Sequence, residues 1–253
     1  IGVFGNNVKL MRKNYLGGFS WDSSDSNVNN GKGINQWGES TDEEGNYYPG
    51  AKLQVYLNKR YYGGDTTVLC YNADNNTLAC PTSTLDEASK SLIDNHKWNT
   101  GAIEYKTRTD TLAFYQDERG TKTGKNCTSG NWCNDTVTRT TTWTGYVALP
   151  YVTDWAYASE NEICETNYDA YDNDFLCKKN NWTLNEGIVS LLSPYTDSNN
   201  ANLVFGVDTE NSTNLGSAGD SSPIIPAIYL KSNVLIESGA GTSSNPYILK
   251  LSS

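Results

Sequence analysis

The chain has one histidine, one methionine and five phenylalanines, and charged residues make up only 19% of its 253 positions. With His96 as the sole imidazole, any Ser–His or Cys–His nucleophile would have a single base to draw on. His96 lies in Asp94-Asn95-His96-Lys97-Trp98, which reads as the end of a helix, where an imidazole faces solvent or meets the helix dipole. Walker loops, dinucleotide fingerprints and Gly-x-Ser-x-Gly elbows are all missing, which removes the commonest nucleotide-binding and esterase signatures. No run approaches the roughly 20 apolar residues that cross a bilayer, and no signal peptide pattern is present. The 19 Lys and Arg are outnumbered by 29 Asp and Glu, a formal net charge of −10. Nucleic acid needs cationic clusters against phosphate, so the charge argues against nucleic-acid partners, and docking on anionic lipid is disfavoured. The one basic cluster, Lys9-Leu10-Met11-Arg12-Lys13, reads as solvated surface.

Six cysteines are present: Cys70, Cys80, Cys127, Cys133, Cys164 and Cys177. They fall into three couples with nine, five and twelve intervening residues. Structural zinc sites use tight Cys-x-x-Cys knuckles or add histidines, and redox sites favour the two-residue spacing. Neither pattern occurs. An even count in an Asn- and Thr-rich chain favours disulfides, and with them an oxidising, extracellular setting. Six cysteines allow fifteen pairings; the simplest is 70–80, 127–133 and 164–177, each closing a short polar loop for roughly 2–3 kcal/mol.

Ile1 to Met11 reads as a β-hairpin turning at Gly5-Asn6-Asn7. Ala51 to Tyr62 reads as a helix, with Leu53, Tyr56, Leu57 and Tyr61 on one face and Gly63-Gly64 as the stop. Thr84-Leu85-Asp86-Glu87 has capping-box spacing, which predicts a second helix from an N-cap at Thr84 to about His96. Strands are predicted near Ala102–Tyr105 and Thr111–Tyr115, and a brief helix at about Thr153 to Ser159. The last third carries short strand signals at Ile188–Leu192, Leu203–Val207, Ala227–Leu230, Val234–Ile236 and Tyr247–Leu251. The expectation is one α+β domain over 1–253, with short helices in the N-terminal half and a twisted antiparallel sheet closed by C-terminal strands. Because the chain opens on Ile1-Gly2-Val3-Phe4, the middle of a strand, an anchoring segment is expected upstream.

Seventeen Tyr and seven Trp against five Phe suit half-buried rings with one polar tip. Trp132, Trp155, Tyr168 and Tyr171, near the cysteine loops, are the candidates for stacking on a ligand; core packing is the plainer account of such rings. Hard oxygen ligands suit calcium, and Asp169, Asp172 and Asp174 within Asn167-Tyr168-Asp169-Ala170-Tyr171-Asp172-Asn173-Asp174 are its candidate ligands. The alternative there is a solvated loop, and no other cofactor is expected. Catalytic residues are not expected, although paired carboxylates can meet in space without any sequence signature.

Several segments share a pattern. Ala148-Leu149-Pro150-Tyr151-Val152-Thr153-Asp154-Trp155-Ala156 precedes two cysteines and Asn181-Trp182. Leu192-Ser193-Pro194-Tyr195, Pro226-Ala227-Ile228-Tyr229-Leu230 and Asn245-Pro246-Tyr247-Ile248-Leu249 follow in order. With Ile1-Gly2-Val3-Phe4 and Gly33-Ile34-Asn35-Gln36-Trp37, this order resembles the extracellular region of Gram-positive gut-bacterial surface proteins, many of which carry a prepilin-type N-terminal helix, as pilins and pseudopilins do. The order of parts is also similar, more loosely, to C-type-lectin-like and formylglycine-generating-enzyme-like folds. The lectin calcium triplets are absent, and Trp132-Cys133-Asn134-Asp135 interrupts the lectin Trp-Asn-Asp string. The resemblance implies a non-enzymatic cell-surface or type IV pilus-associated subunit. Its partners would be other pilus or surface subunits, and its membrane attachment an upstream helix. The alternatives are an adhesin for glycan or protein and an extracellular carbohydrate-active enzyme.

Overall fold

The computed structural model describes residues 2–22, 36–41, 43–73, 76–103, 111–120, 140–158, 189–195, 203–208, 212–242 and 244–252. At the start of the chain, Gly2–Phe4 pairs antiparallel with Asn7–Met11, and Gly5 turns the hairpin at φ 60°. Only a residue without Cβ takes that conformation cheaply. The hairpin then recruits the far end of the chain. Ala227–Tyr229 pairs with Asn7–Met11, and Val147–Ala148 completes a four-stranded antiparallel sheet. Gly17–Ser20 likewise pairs with Ser221–Ile224. Beginning and end of the described chain are thus interlocked by backbone hydrogen bonds.

Val189–Pro194, Leu203–Asp208 and Ser212–Ser217 form a three-stranded antiparallel sheet, and the remaining described strands pair in twos. The mixed α+β character stands. The architecture, however, is several small antiparallel sheets, with strands from the first residues onward, and the described strands do not form one closed sheet. All five late strands lie where their β-branched and aliphatic runs place them, to within two residues: Val189–Pro194, Leu203–Asp208, Ala227–Tyr229, Val234–Ser238 and Ile248–Leu251.

Several local expectations change. The 51–62 helix is present as Lys52–Val55 running into a π-helical stretch, Tyr56–Tyr62, and it buries Leu53, Tyr56, Leu57 and Tyr61 as the spacing predicts. The second helix is shorter than expected, Glu87–Leu92, and its N-cap is Asp86, whose carboxylate accepts the Ser89 amide N–H at 2.7 Å. Asp86 displaces Thr84 because its carboxylate stands two positions nearer the first amides that lack helical partners. His96 begins a strand, His96–Asn99, that pairs with Thr142–Gly145. Finally, Thr111–Glu118 is a helix and not a strand. Its Ala113 and Phe114 are both buried although adjacent, a pattern a strand cannot give to one face. Of the strand predicted at Ala102–Tyr105, the described residues show a bridge from Ile103 to Tyr195, and residues 104 and 105 lie outside them.

Two apolar clusters fill the interior. The larger holds Phe19, Trp21, Trp37, Tyr56, Trp98 and Trp143 among others; the smaller is built around Phe114, Trp155, Tyr195 and Phe205. In the larger cluster, Phe19 stacks on Tyr56 at 4.9 Å and Trp37 meets Trp143 edge-on at 6.2 Å. Trp143 can lie there because glycine stands on either side. A Cβ at Gly145 would fall 1.9 Å from its ring, and one at Gly38 2.4 Å. Gly145→Ala is therefore expected to displace the indole and cost about 1–3 kcal/mol, the usual range for overpacking, measured as a lower urea midpoint with altered tryptophan fluorescence.

Cys70 and Cys80 are joined by a disulfide, their Cα atoms 5.3 Å apart, beside the two-strand ribbon Cys70–Tyr71 and Thr77–Leu78. Replacing both cysteines by alanine is expected to lower stability by about 2–3 kcal/mol, since the cross-link restricts the unfolded chain. Equilibrium urea unfolding of the double variant would measure it.

Candidate functional site

The most unusual chemistry lies where the first hairpin meets the helix Val152–Ala156. Lys9, read from sequence as part of a solvated basic cluster, is 0% exposed. Strand alternation explains the correction. Val8 points to solvent, so Lys9 points inward, directly across from Gly2 on one neighbour and Tyr229 on the other. Its ammonium contacts the Asp154 carboxylate and is ringed by four aromatic side chains. The ring centroids lie at 4.1 Å for Tyr151, 5.2 Å for Trp98, 5.5 Å for Tyr229 and 5.7 Å for Phe4. Such faces attract a cation through their quadrupoles. Burial still pulls the Lys9 pKa below the ordinary lysine value, against the opposing charges of Asp154 and Glu118.

Asp154 is fixed independently of the lysine. It sits in the first turn of Val152–Ala156 and accepts the Tyr151 backbone N–H at 2.8 Å, closing the helix start. Glu118 ends the Thr111–Glu118 helix and is also fully buried. It accepts the Thr153 hydroxyl, the Ser193 hydroxyl at 2.7 Å and an Arg119 N–H at 3.3 Å. Burial raises its pKa above the ordinary carboxyl value, with Arg119 and the two hydroxyls pulling the other way. Three ionisable side chains from three distant segments therefore meet around Thr153 and Asp154, in a place closed to solvent.

The surroundings are equally constrained. The Tyr151 hydroxyl accepts the Asn99 backbone N–H at 2.8 Å. The His96 ring stacks on Tyr229 at 3.7 Å, and its Nδ1 lies 3.0 Å from Asp94. His96 thus braces the wall of the lysine cage, where sequence had placed it at a helix end.

No protein-family model, curated protein or solved structure matches this chain. Function must be argued from what the residues themselves can do.

Of the residues singled out from sequence, Cys70 and Cys80 pair as expected. Trp155 is 3% exposed in the smaller cluster, so its ring is a core element and not a surface platform. Trp132, Tyr168, Tyr171, Asp169, Asp172, Asp174, Cys127, Cys133, Cys164 and Cys177 lie outside the described residues. Among the described residues no group of three His, Cys, Asp or Glu is placed to hold a metal. Sequence reasoning missed Lys9, Glu118 and Asp154 as a cluster. The only signal available was Asp154 at capping distance from Tyr151; the lysine and glutamate carry none, because their partners lie far away in the chain.

A second feature is open to solvent. A groove of about 440 Å³ is lined by Asp22, Lys52, Lys59, Asp65 and Tyr71, among others, next to the disulfide. The Lys52 ammonium lies 3.9 Å from the centre of the Tyr71 ring. Partial burial lowers the Lys52 pKa, opposed by the charge of Asp22.

Proposed function

We propose that the chain is a non-enzymatic, extracellular subunit of a cell surface or type IV pilus, a globular domain built for endurance. The observation that carries this reading is the Cys70–Cys80 disulfide, since such bridges persist in oxidising compartments. The sealed Lys9–Asp154–Glu118 cluster supports it as well, because it ties distant segments together where no substrate could enter. The test is alkylation of the native protein before mass analysis. No labelled cysteine supports the reading, and six labelled cysteines remove its basis. The gene sequence upstream of Ile1 adds an independent check: an apolar helix of roughly 20 residues behind a processing site fits a pilin, and a cytosolic domain there contradicts it.

The groove beside the disulfide favours a second reading, an adhesin for glycan or protein. Tyr71 presents a ring beside a cation and two carboxylates, the mixture of stacking and polar contacts that sugar recognition uses. Glycan-array binding that is lost in Tyr71→Ala and survives a calcium chelator would establish it. Binding lost with the chelator alone would direct attention to calcium instead.

A further inference from the structure

Lys9 and Asp154 lie 145 residues apart in sequence and in direct contact inside the molecule, with 0% and 2% of their side-chain surfaces exposed. We propose that they condense to an internal isopeptide bond, an amide joining the central hairpin strand to the helix Val152–Ala156.

The reaction needs an amine and a carboxyl group held in contact with little water, and the site supplies both the contact and the exclusion of water. Burial disfavours the ammonium form of Lys9, and the step begins with transfer of one proton across the contact from the Lys9 nitrogen to the Asp154 carboxyl group, which leaves an amine beside a carboxylic acid. The Lys9 nitrogen then forms a bond to the Asp154 Cγ. One Cγ–O bond breaks, and the oxygen leaves as water, carrying the acid proton and one amine proton. No oxidant, reductant or cofactor enters the balance. The carbonyl oxygen that remains can keep the Tyr151 N–H it already accepts. Holding the two groups in contact gives the step the advantage of an intramolecular reaction. The rings of Phe4, Trp98, Tyr151 and Tyr229 around the nitrogen keep out the water that would reverse it.

Glu118 is a positioning residue for this step. It accepts both the N–H and the hydroxyl of Thr153, the residue before Asp154, and its charge acts on Lys9 and Asp154 alike. The product replaces buried charges by a neutral amide. It also fixes the middle strand of the four-stranded sheet covalently, so that a pull on the first hairpin would load the helix Val152–Ala156 through a covalent bond. The inference is separable from the surface-subunit proposal, because the bond is read by mass in any compartment and the compartment by cysteine labelling.

The experiment is the intact mass of the full 253-residue chain after denaturation and complete reduction. The expected wild-type mass is the sequence mass less one water, and digestion yields a branched peptide joining the Lys9 and Asp154 segments. Lys9→Arg and Asp154→Ala chains should show the full sequence mass. Wild type at full mass, or a water loss mapped to other residues, overturns the proposal whether or not the variants fold. Glu118→Gln, with a native-like near-ultraviolet spectrum, should retain the water, and Glu118→Asp should recover measurable conversion. A Glu118→Gln chain that condenses as completely as wild type overturns the role given to Glu118.

Discussion

Asp154→Ala takes from Lys9 its partner, as ion pair or as amide, and is expected to lower the stability of the domain by at least about 3–5 kcal/mol, the usual cost of leaving a buried charge without its partner. Lys9 has 0% exposure and cannot swing out to water, because the strand that carries it is hydrogen-bonded on both sides. The helix Val152–Ala156 also loses the acceptor for its Tyr151 N–H, a contribution of about 1 kcal/mol for a typical cap. A double variant separates the two. Lys9→Met with Asp154→Asn removes both charges while keeping an acceptor for the cap, and it is expected to recover the part of the loss that comes from the unpaired charge and the cap, and none of the part that comes from the amide. Urea unfolding of the three proteins measures this. A loss under about 1 kcal/mol in Asp154→Ala would show that the lysine is not buried against it, since exposed pairs are worth that little.

The second large effect is alkaline. Burial pushes the Tyr56 pKa up to about 12, and it raises Tyr151 and Tyr229 as well, from an ordinary value of 10.0. The folded state therefore holds protons that the unfolded chain releases. Stability from these groups is complete below pH 10 and falls as the pH rises through the folded values, past about 12 for Tyr56. Each contributes a slope of about 1.4 kcal/mol per pH unit, so the three together give about 4 kcal/mol per unit above the unfolded value. As a free amine Lys9 runs the other way: its pKa is lowered on folding, so its cost declines as the pH approaches 10.5 and adds no slope beyond that value, and once condensed it contributes no slope at all. Cooperative unfolding is thus expected above pH 10, with the tyrosinate absorbance of the buried rings rising together with the loss of circular dichroism. Tyrosinate absorbance that reaches its full value for all seventeen tyrosines before structure is lost would mean that these hydroxyls are in water.

Much of the local architecture was legible because its causes are local. Leu53, Tyr56, Leu57 and Tyr61 declared a buried helical face by spacing alone, and those residues are the ones buried. The hairpin at Gly5 followed from turn chemistry, and the Cys70–Cys80 bridge from the short gap between its cysteines. Thr111–Glu118 was misread because its threonine-rich context suggests strand, while packing of Phe114 against Phe205 and Tyr195 stabilises a helix. Period and composition describe one segment at a time, and a segment held by its neighbours can overrule both.

The site shows the same boundary more sharply. By composition and spacing, the sequence determined the mixed α+β character and the buried face of Leu53, Tyr56, Leu57 and Tyr61, and it made Cys80 the simplest partner for Cys70. Only the tertiary structure decided that Lys9 is internal, that Asp154 meets it and that Glu118 stands behind them. A lysine in a strand is identical on paper whether it faces water or the core. Its fate depends on which strands flank it and which rings close over it, and those come from residues 98, 151 and 229, far along the chain.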